Sequence, residues 1–129
     1  HIAMRYKAKH QPDKMMEALR DAVGYYKVLA YDTPGSPFAL QARLMIAQCY
    51  AELKQWENAA RAMETVVEDF SKKVATDRIL MDIAKIYHIY LKNDTKAKAA
   101  LEKLVKDHPR SGYLAQARAI LNKIEKGEK

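Results

Sequence analysis

The side chains that could do chemistry in this chain are scattered. Of its four histidines, His10, His88 and His108 fall on three separate elements. None has a second His four residues away, the spacing that puts two zinc ligands on one helix face. His88 stands between Tyr87 and Tyr90 with no ligand partner near it in sequence, which reads as a groove or surface residue. Asp77 and Asp82 are five residues apart and would not face each other on a helix, so they make no acid–base pair. The single Cys49 has no disulfide partner and sits between apolar positions, as a small core residue does. There is no Gly-rich phosphate loop and no Ser in a nucleophile elbow. The residues therefore imply no enzyme activity, no cofactor and no metal.

Charge offers a second kind of chemistry. The formal net charge is +7, and it is uneven. Residues 36–71 carry a net −2, whereas 72–108 hold nine Lys or Arg against five acids and 109–129 add a further +3. A basic half attracts anionic partners. Lys72, Lys73, Lys92, Lys96, Lys98, Lys103 and Lys106 could meet phosphates. Arg is scarce there and aromatics are poorly interleaved, so nucleic acid or another polyanion is the weaker reading. Solvated outer helix faces explain the same lysines.

What positions these residues is a repeat. Ile-Ala-x-x-Tyr occurs three times, at Ile2–Tyr6, Ile46–Tyr50 and Ile83–Tyr87, with spacings of 44 and 37 residues. Such a period belongs to arrays of helix hairpins, in which each unit buries its apolar face only against a neighbour. Ala, Leu, Lys, Glu, Met and Gln dominate and favour helix. No apolar run is long enough to cross a bilayer. The chain opens on His1 and inside a helix, which reads as a piece excised from a longer protein.

Punctuation and periodicity then place seven helices. The first is already under way at residue 2. The second is capped by Asp13 and runs through Met15, Met16, Leu19, Ala22, Val23, Tyr26 and Leu29, with Gly24 marking close approach of a neighbouring helix. The others span about Pro37–Leu53, Trp56–Asp69, Ser71–Leu91, Thr95–Asp107 and Tyr113–Ile124. Two turns share a phrase: Asp32-x-Pro34-x-Ser36-x-Phe38-x-x-Gln41-Ala42-Arg43 matches Asp107-x-Pro109-x-Ser111-x-Tyr113-x-x-Gln116-Ala117-Arg118. Asp69-Phe70-Ser71 lies between them, giving a period of 37–38 residues with two helices in each.

These residues resemble the tetratricopeptide repeat family, which pairs two antiparallel helices per repeat around small and aromatic positions. Ala47, Tyr50, Ala59 and Met63 match one repeat, with Ser71 in place of an exit Pro. Ala84, Tyr87, Ala97, Leu101 and Pro109 match the next, with one residue added in the turn. Ala3, Tyr6, Ala22, Tyr26 and Pro34 match a first repeat that has roughly seven extra residues around Gln11-Pro12. The resemblance implies an all-α fold, a right-handed α-solenoid of antiparallel hairpins. Residues 1–129 form one domain, with repeats at about 1–35, 36–71 and 72–109 and a capping helix at 111–126. Leu114, Ala117, Ile120, Leu121 and Ile124 give that last helix an apolar face, which caps the stack or supports a homo-oligomer.

In the family the first helix of each pair lines a concave groove. The matching stripe here is Gln41, Leu44 and Gln48, then Arg78, Met81, Lys85 and His88, then Gln116 and Lys123, with Met4 and Lys7 on the truncated first helix. The resemblance implies a non-catalytic protein–protein interaction scaffold that holds a peptide or protein segment bearing acidic groups. Gln48 and Lys85 stand where the family's carboxylate clamp has Asn, so that particular clamp is not implied. A structural or oligomerisation module with no peptide ligand is the alternative. The Pro-x-Ser-x-aromatic phrase also looks like that of bacterial envelope repeats, such as outer-membrane-assembly lipoproteins and the periplasmic partner of Tol-Pal, which would place the chain in the periplasm.

Overall fold

The structure, a computed structural model, describes residues 12–32, 37–71 and 75–127. The first Ile-Ala-x-x-Tyr copy, the helix expected from residue 2, and Pro34 and Ser36 of the first turn phrase lie outside them. Six α-helices occur in order: α1 (Pro12–Asp32), α2 (Pro37–Glu52), α3 (Trp56–Phe70), α4 (Asp77–Lys85), α5 (Asp94–Asp107) and α6 (Leu114–Glu125), with a π-helical turn at Ile86–Tyr90 directly after α4. No strand occurs among the described residues. The chain forms two compact units, 1–62 and 63–129, whose boundary falls inside α3.

In the first unit α1 and α2 pack face to face. Their core is Leu19, Val23, Ala30, Ala42, Ile46, Cys49 and Leu53, with Met15, Met16, Ala22, Tyr26 and Tyr50 packed against it. This is the three- and four-residue periodicity expected of α1. Pro12 and Asp13 both lie within the described part of α1, so Asp13 is inside the helix and not a cap before it. Gly24 departs from expectation. It is exposed, and a Cβ built on it meets nothing within 4 Å among the described residues, so none of the described helices approaches it closely. Relative to Ala it costs the helix about 1 kcal/mol.

In the second unit α5 packs against both α4 and α6. Leu80, Ile83, Ala84, Ala97, Leu101 and Leu104 are buried. α4 starts at Asp77, not at Ser71, because Thr76 and Asp77 are engaged elsewhere. The buried Thr76 bonds through Oγ1 to His108 Nε2 at 3.0 Å, and Ser111 donates its hydroxyl to Asp77 Oδ2 at 2.6 Å. Asp77 Oδ1 also accepts the Arg78 amide at 3.0 Å. These bonds hold the Asp77 carboxyl below its ordinary range, the Ser111 hydroxyl contributing most. They join the start of this repeat to the turn that closes it. α5 opens on Asn93, whose side chain caps the Lys96 amide. α6 buries Ala117 and leaves Leu114, Ile120, Leu121 and Ile124 half-buried.

The two described Ile-Ala-x-x-Tyr copies end in the same turn, with one difference. After the first, Lys54 takes φ 61° and the Gln55 amide bonds back to the Tyr50 carbonyl at 2.9 Å. Together with the Lys54 amide on Ala51 O at 2.9 Å, this makes a Schellman cap with Lys at the position Gly usually takes. After the second, Lys92 takes φ 52° and the Asn93 amide bonds to the Tyr87 carbonyl at 2.8 Å. Tyr-to-Lys spacing is four residues in the first and five in the second. The extra residue sits in the helix and not in the turn: the Leu91 amide bonds to the Ile86 carbonyl five residues back, at 3.0 Å, where Leu53 bonds to Cys49 four back. A π-turn lets a helix take up one additional residue without rotating the turn beyond it.

Deleting the exposed Ile89 is therefore expected to turn the π segment into ordinary α-helix and to leave stability within about 1 kcal/mol, as for changes away from packed features. Deleting Glu102 from α5 would rotate the residues after it by about 100° and strip Leu104 from the core. Urea unfolding followed by circular dichroism compares the two. Equal destabilisation by both deletions would show that the π segment is not an absorbed insertion.

Candidate functional site

The expected groove residues divide by burial. On α2, Gln41 and Gln48 are exposed and Leu44 is half-buried, while Ala42, Ile46, Ala47 and Cys49 turn into the core. On α4, Arg78 is exposed and Lys85 half-buried. Met81 does not join them. It is 1% exposed, because α4 buries two adjoining strips, Leu80–Ile83–Ala84 and Met81, and so presents a narrower free face than a surface helix would. His88 lies in the π-turn with its side chain 14% exposed and its Nδ1 at 2.7 Å from Asp94 Oδ1. Gln116 and Lys123 are exposed on α6. Met4 and Lys7 lie outside the described residues.

Asp82 changes the electrostatics of the α4 stripe. It follows Arg78 by four residues and precedes Lys85 by three, so all three share one face. Burial pushes its carboxyl up, and the fields of Arg78 and Lys85 oppose that. The accessible stripe is thus cation, carboxylate, cation. Of the other candidate groups, Cys49 is buried, and burial raises its thiol with Glu52 adding to the effect, the behaviour of a core residue. No group of three or more His, Cys, Asp or Glu placed to hold a metal occurs among the described residues.

The second unit also has a cleft of about 220 Å³ between α3, α4 and α5. Val67, Leu80, Ile83, Ala99 and Ala100 give it an apolar floor. Glu64 and Glu68, one turn apart on α3, stand on one side, and Lys96 and Lys103, two turns apart on α5, stand on the other. Tyr87, 2% exposed, reaches both sides. Its hydroxyl donates to Glu64 Oε1 at 2.7 Å, and the Lys96 Nζ lies 5.4 Å from its ring centroid, a cation–π contact. None of the expected groove residues lines this cleft. Sequence reasoning missed it because the acids and lysines sit on the second helices of their pairs, where they read as solvated faces.

Six helices with no strand among the described residues, on a sequence period of 37–38 residues, define a helical-repeat protein of the all-α solenoid class. More narrowly, residues 3–126 match the model of the tetratricopeptide repeat protein 21 ARM repeat family, and the chain belongs to that family. No curated protein and no solved structure matches it. Proteins built this way generally present surfaces for protein–protein interaction and are typically non-catalytic. None of the helices among the described residues is long and apolar enough to cross a membrane.

Proposed function

We propose that this chain is a non-catalytic scaffold that binds protein segments on the free faces of its first helices, α2 in the first unit and α4 in the second. The observation that carries this reading is the division of labour on α2 and α4. Each spends one face on buried alanine contacts and keeps long polar side chains beside them, Gln41 and Gln48 on α2 and Arg78 and Lys85 on α4. Arg78, Lys85 and Lys123 favour a segment with acidic groups, and Asp82 between the first two favours a donor set against the acids. An envelope setting rests on the Pro109-x-Ser111-x-Tyr113 phrase alone, since the family match carries no compartment.

Selection of a displayed random-peptide library on the immobilised chain tests this. Acidic peptides are expected to enrich, and the paired substitution Arg78→Glu with Lys85→Glu is expected to weaken the best of them at least about tenfold while helicity is kept, a loss in the range of two truncated or reversed interface charges. Enriched peptides whose affinity the paired substitution leaves unchanged would move the site off α4.

A further inference from the structure

We infer that the cleft between α3, α4 and α5 is a second docking surface, and that its occupant is an amphipathic helix of another protein carrying cations along one flank of an apolar ridge and carboxylates along the other. Charge arrangement is the argument. The two walls are opposite in sign, yet among the described residues no ion pair joins them. Lys103 is held instead by Asp107 on its own helix, at 3.0 Å. Lys96 rests on the Tyr87 ring, and Glu64 is held by the Tyr87 hydroxyl. One buried ring thus fixes an anion on one wall and a cation on the other, and keeps them from collapsing onto each other. Such preorganisation lowers the ordering cost of binding.

Size and spacing select the occupant. A volume of about 220 Å³ admits one or two apolar side chains, not a whole helix, so a partner would lie across the mouth and insert its ridge. Glu64 and Glu68 are about 6 Å apart along α3, and Lys96 and Lys103 about 10.5 Å apart along α5. Those intervals match flank charges at four- and seven-residue steps on a facing helix. A phosphate polymer fits poorly, because Glu64 and Glu68 would repel it.

Three synthetic helices of about 18 residues, beyond the length at which isolated helices are marginal, provide the probes. All share a Leu ridge. One carries Lys on one flank and Glu on the other, one Lys on both, and one Glu on both. Fluorescence anisotropy against the whole chain at low salt is expected to show the mixed-charge peptide binding about tenfold tighter than either single-sign peptide, the sum of several partly screened pairs. Ala99 is exposed at the cleft floor, so Ala99→Arg fills the cleft without disturbing the core. It is expected to weaken the mixed-charge peptide at least about tenfold with the circular dichroism spectrum unchanged. Glu68→Lys is expected to shift preference toward the Glu-flanked peptide. Equal affinity for all three probes, a preference for either single-sign peptide by the unsubstituted chain, or no effect of Ala99→Arg would overturn the assignment.

Discussion

Tyr87→Ala is expected to lower stability by about 3–5 kcal/mol, the range for removing a large buried aromatic ring. Against a net stability of about 5–15 kcal/mol for an ordinary domain, that loss removes a large share of the total. The ring is 2% exposed, so its deletion removes both buried area and the contacts that line it. It also releases Glu64 and Lys96, which are placed by its hydroxyl and its face. Tyr87→Phe separates these contributions. It keeps the ring and is expected to cost only about 0.5–1.5 kcal/mol, because the half-exposed Glu64 recovers a water in place of the hydroxyl. Tyr50 is the control from the other repeat. It stands at the same motif position with Lys27 Nζ 5.9 Å from its ring centroid, but it is only half-buried, so Tyr50→Ala should cost clearly less than Tyr87→Ala. Urea unfolding followed by circular dichroism reads all three. Equal losses at the two tyrosines would mean that burial does not set the scale.

That asymmetry marks where the sequence stopped being legible. Three- and four-residue periodicity comes from local rules, and α1, α2, α3, α5 and α6 lie close to where it puts helices. What could not be read locally was the competition for Thr76 and Asp77. Their bonds to His108 and Ser111, 32 and 34 residues away, delay α4 past the Ser71 start that local helix propensity suggests. The additional residue of the second motif copy was visible as a spacing. Its place was not, since a turn and a π-helix absorb one residue equally well on paper, and only the Leu91-to-Ile86 bond decides. At the candidate site, periodicity assigned Met81 to a stripe that burial denies it. Gly24 invited a packing reason that none of the described residues supplies. The cleft escaped notice for a related reason. Glu64 and Lys96 are 32 residues apart in sequence, and both meet the Tyr87 side chain beside one opening.

The alanines of the motif carry the second large effect. Ala47 and Ala84 of the motif, and Ala59 and Ala97 on the helices that follow it, are each 0% exposed. Ala84→Leu is expected to destabilise by about 1–3 kcal/mol, the usual cost of forcing extra methylenes into a filled core. The added apolar burial does not offset this, since the side chain must first displace its packed neighbours or leave its rotamer well. Ala119→Leu makes the same chemical change on the exposed side of α6 and should fall within about 0.5 kcal/mol of no effect. If the cost arises where α4 meets α5, then removing the facing methyl should relieve part of it. Ala97→Gly alone is expected to lose about 1 kcal/mol of helix propensity, but combined with Ala84→Leu the total should be smaller than the sum of the two. Denaturant midpoints for the four chains complete this double-mutant cycle, with contacting residues typically coupled by about 0.5–3 kcal/mol. Strict additivity would show that the two alanines are small for separate reasons. A coupling of that size would identify Ile-Ala-x-x-Tyr as the code by which paired helices of this chain set their distance, leaving binding to the residues beside it.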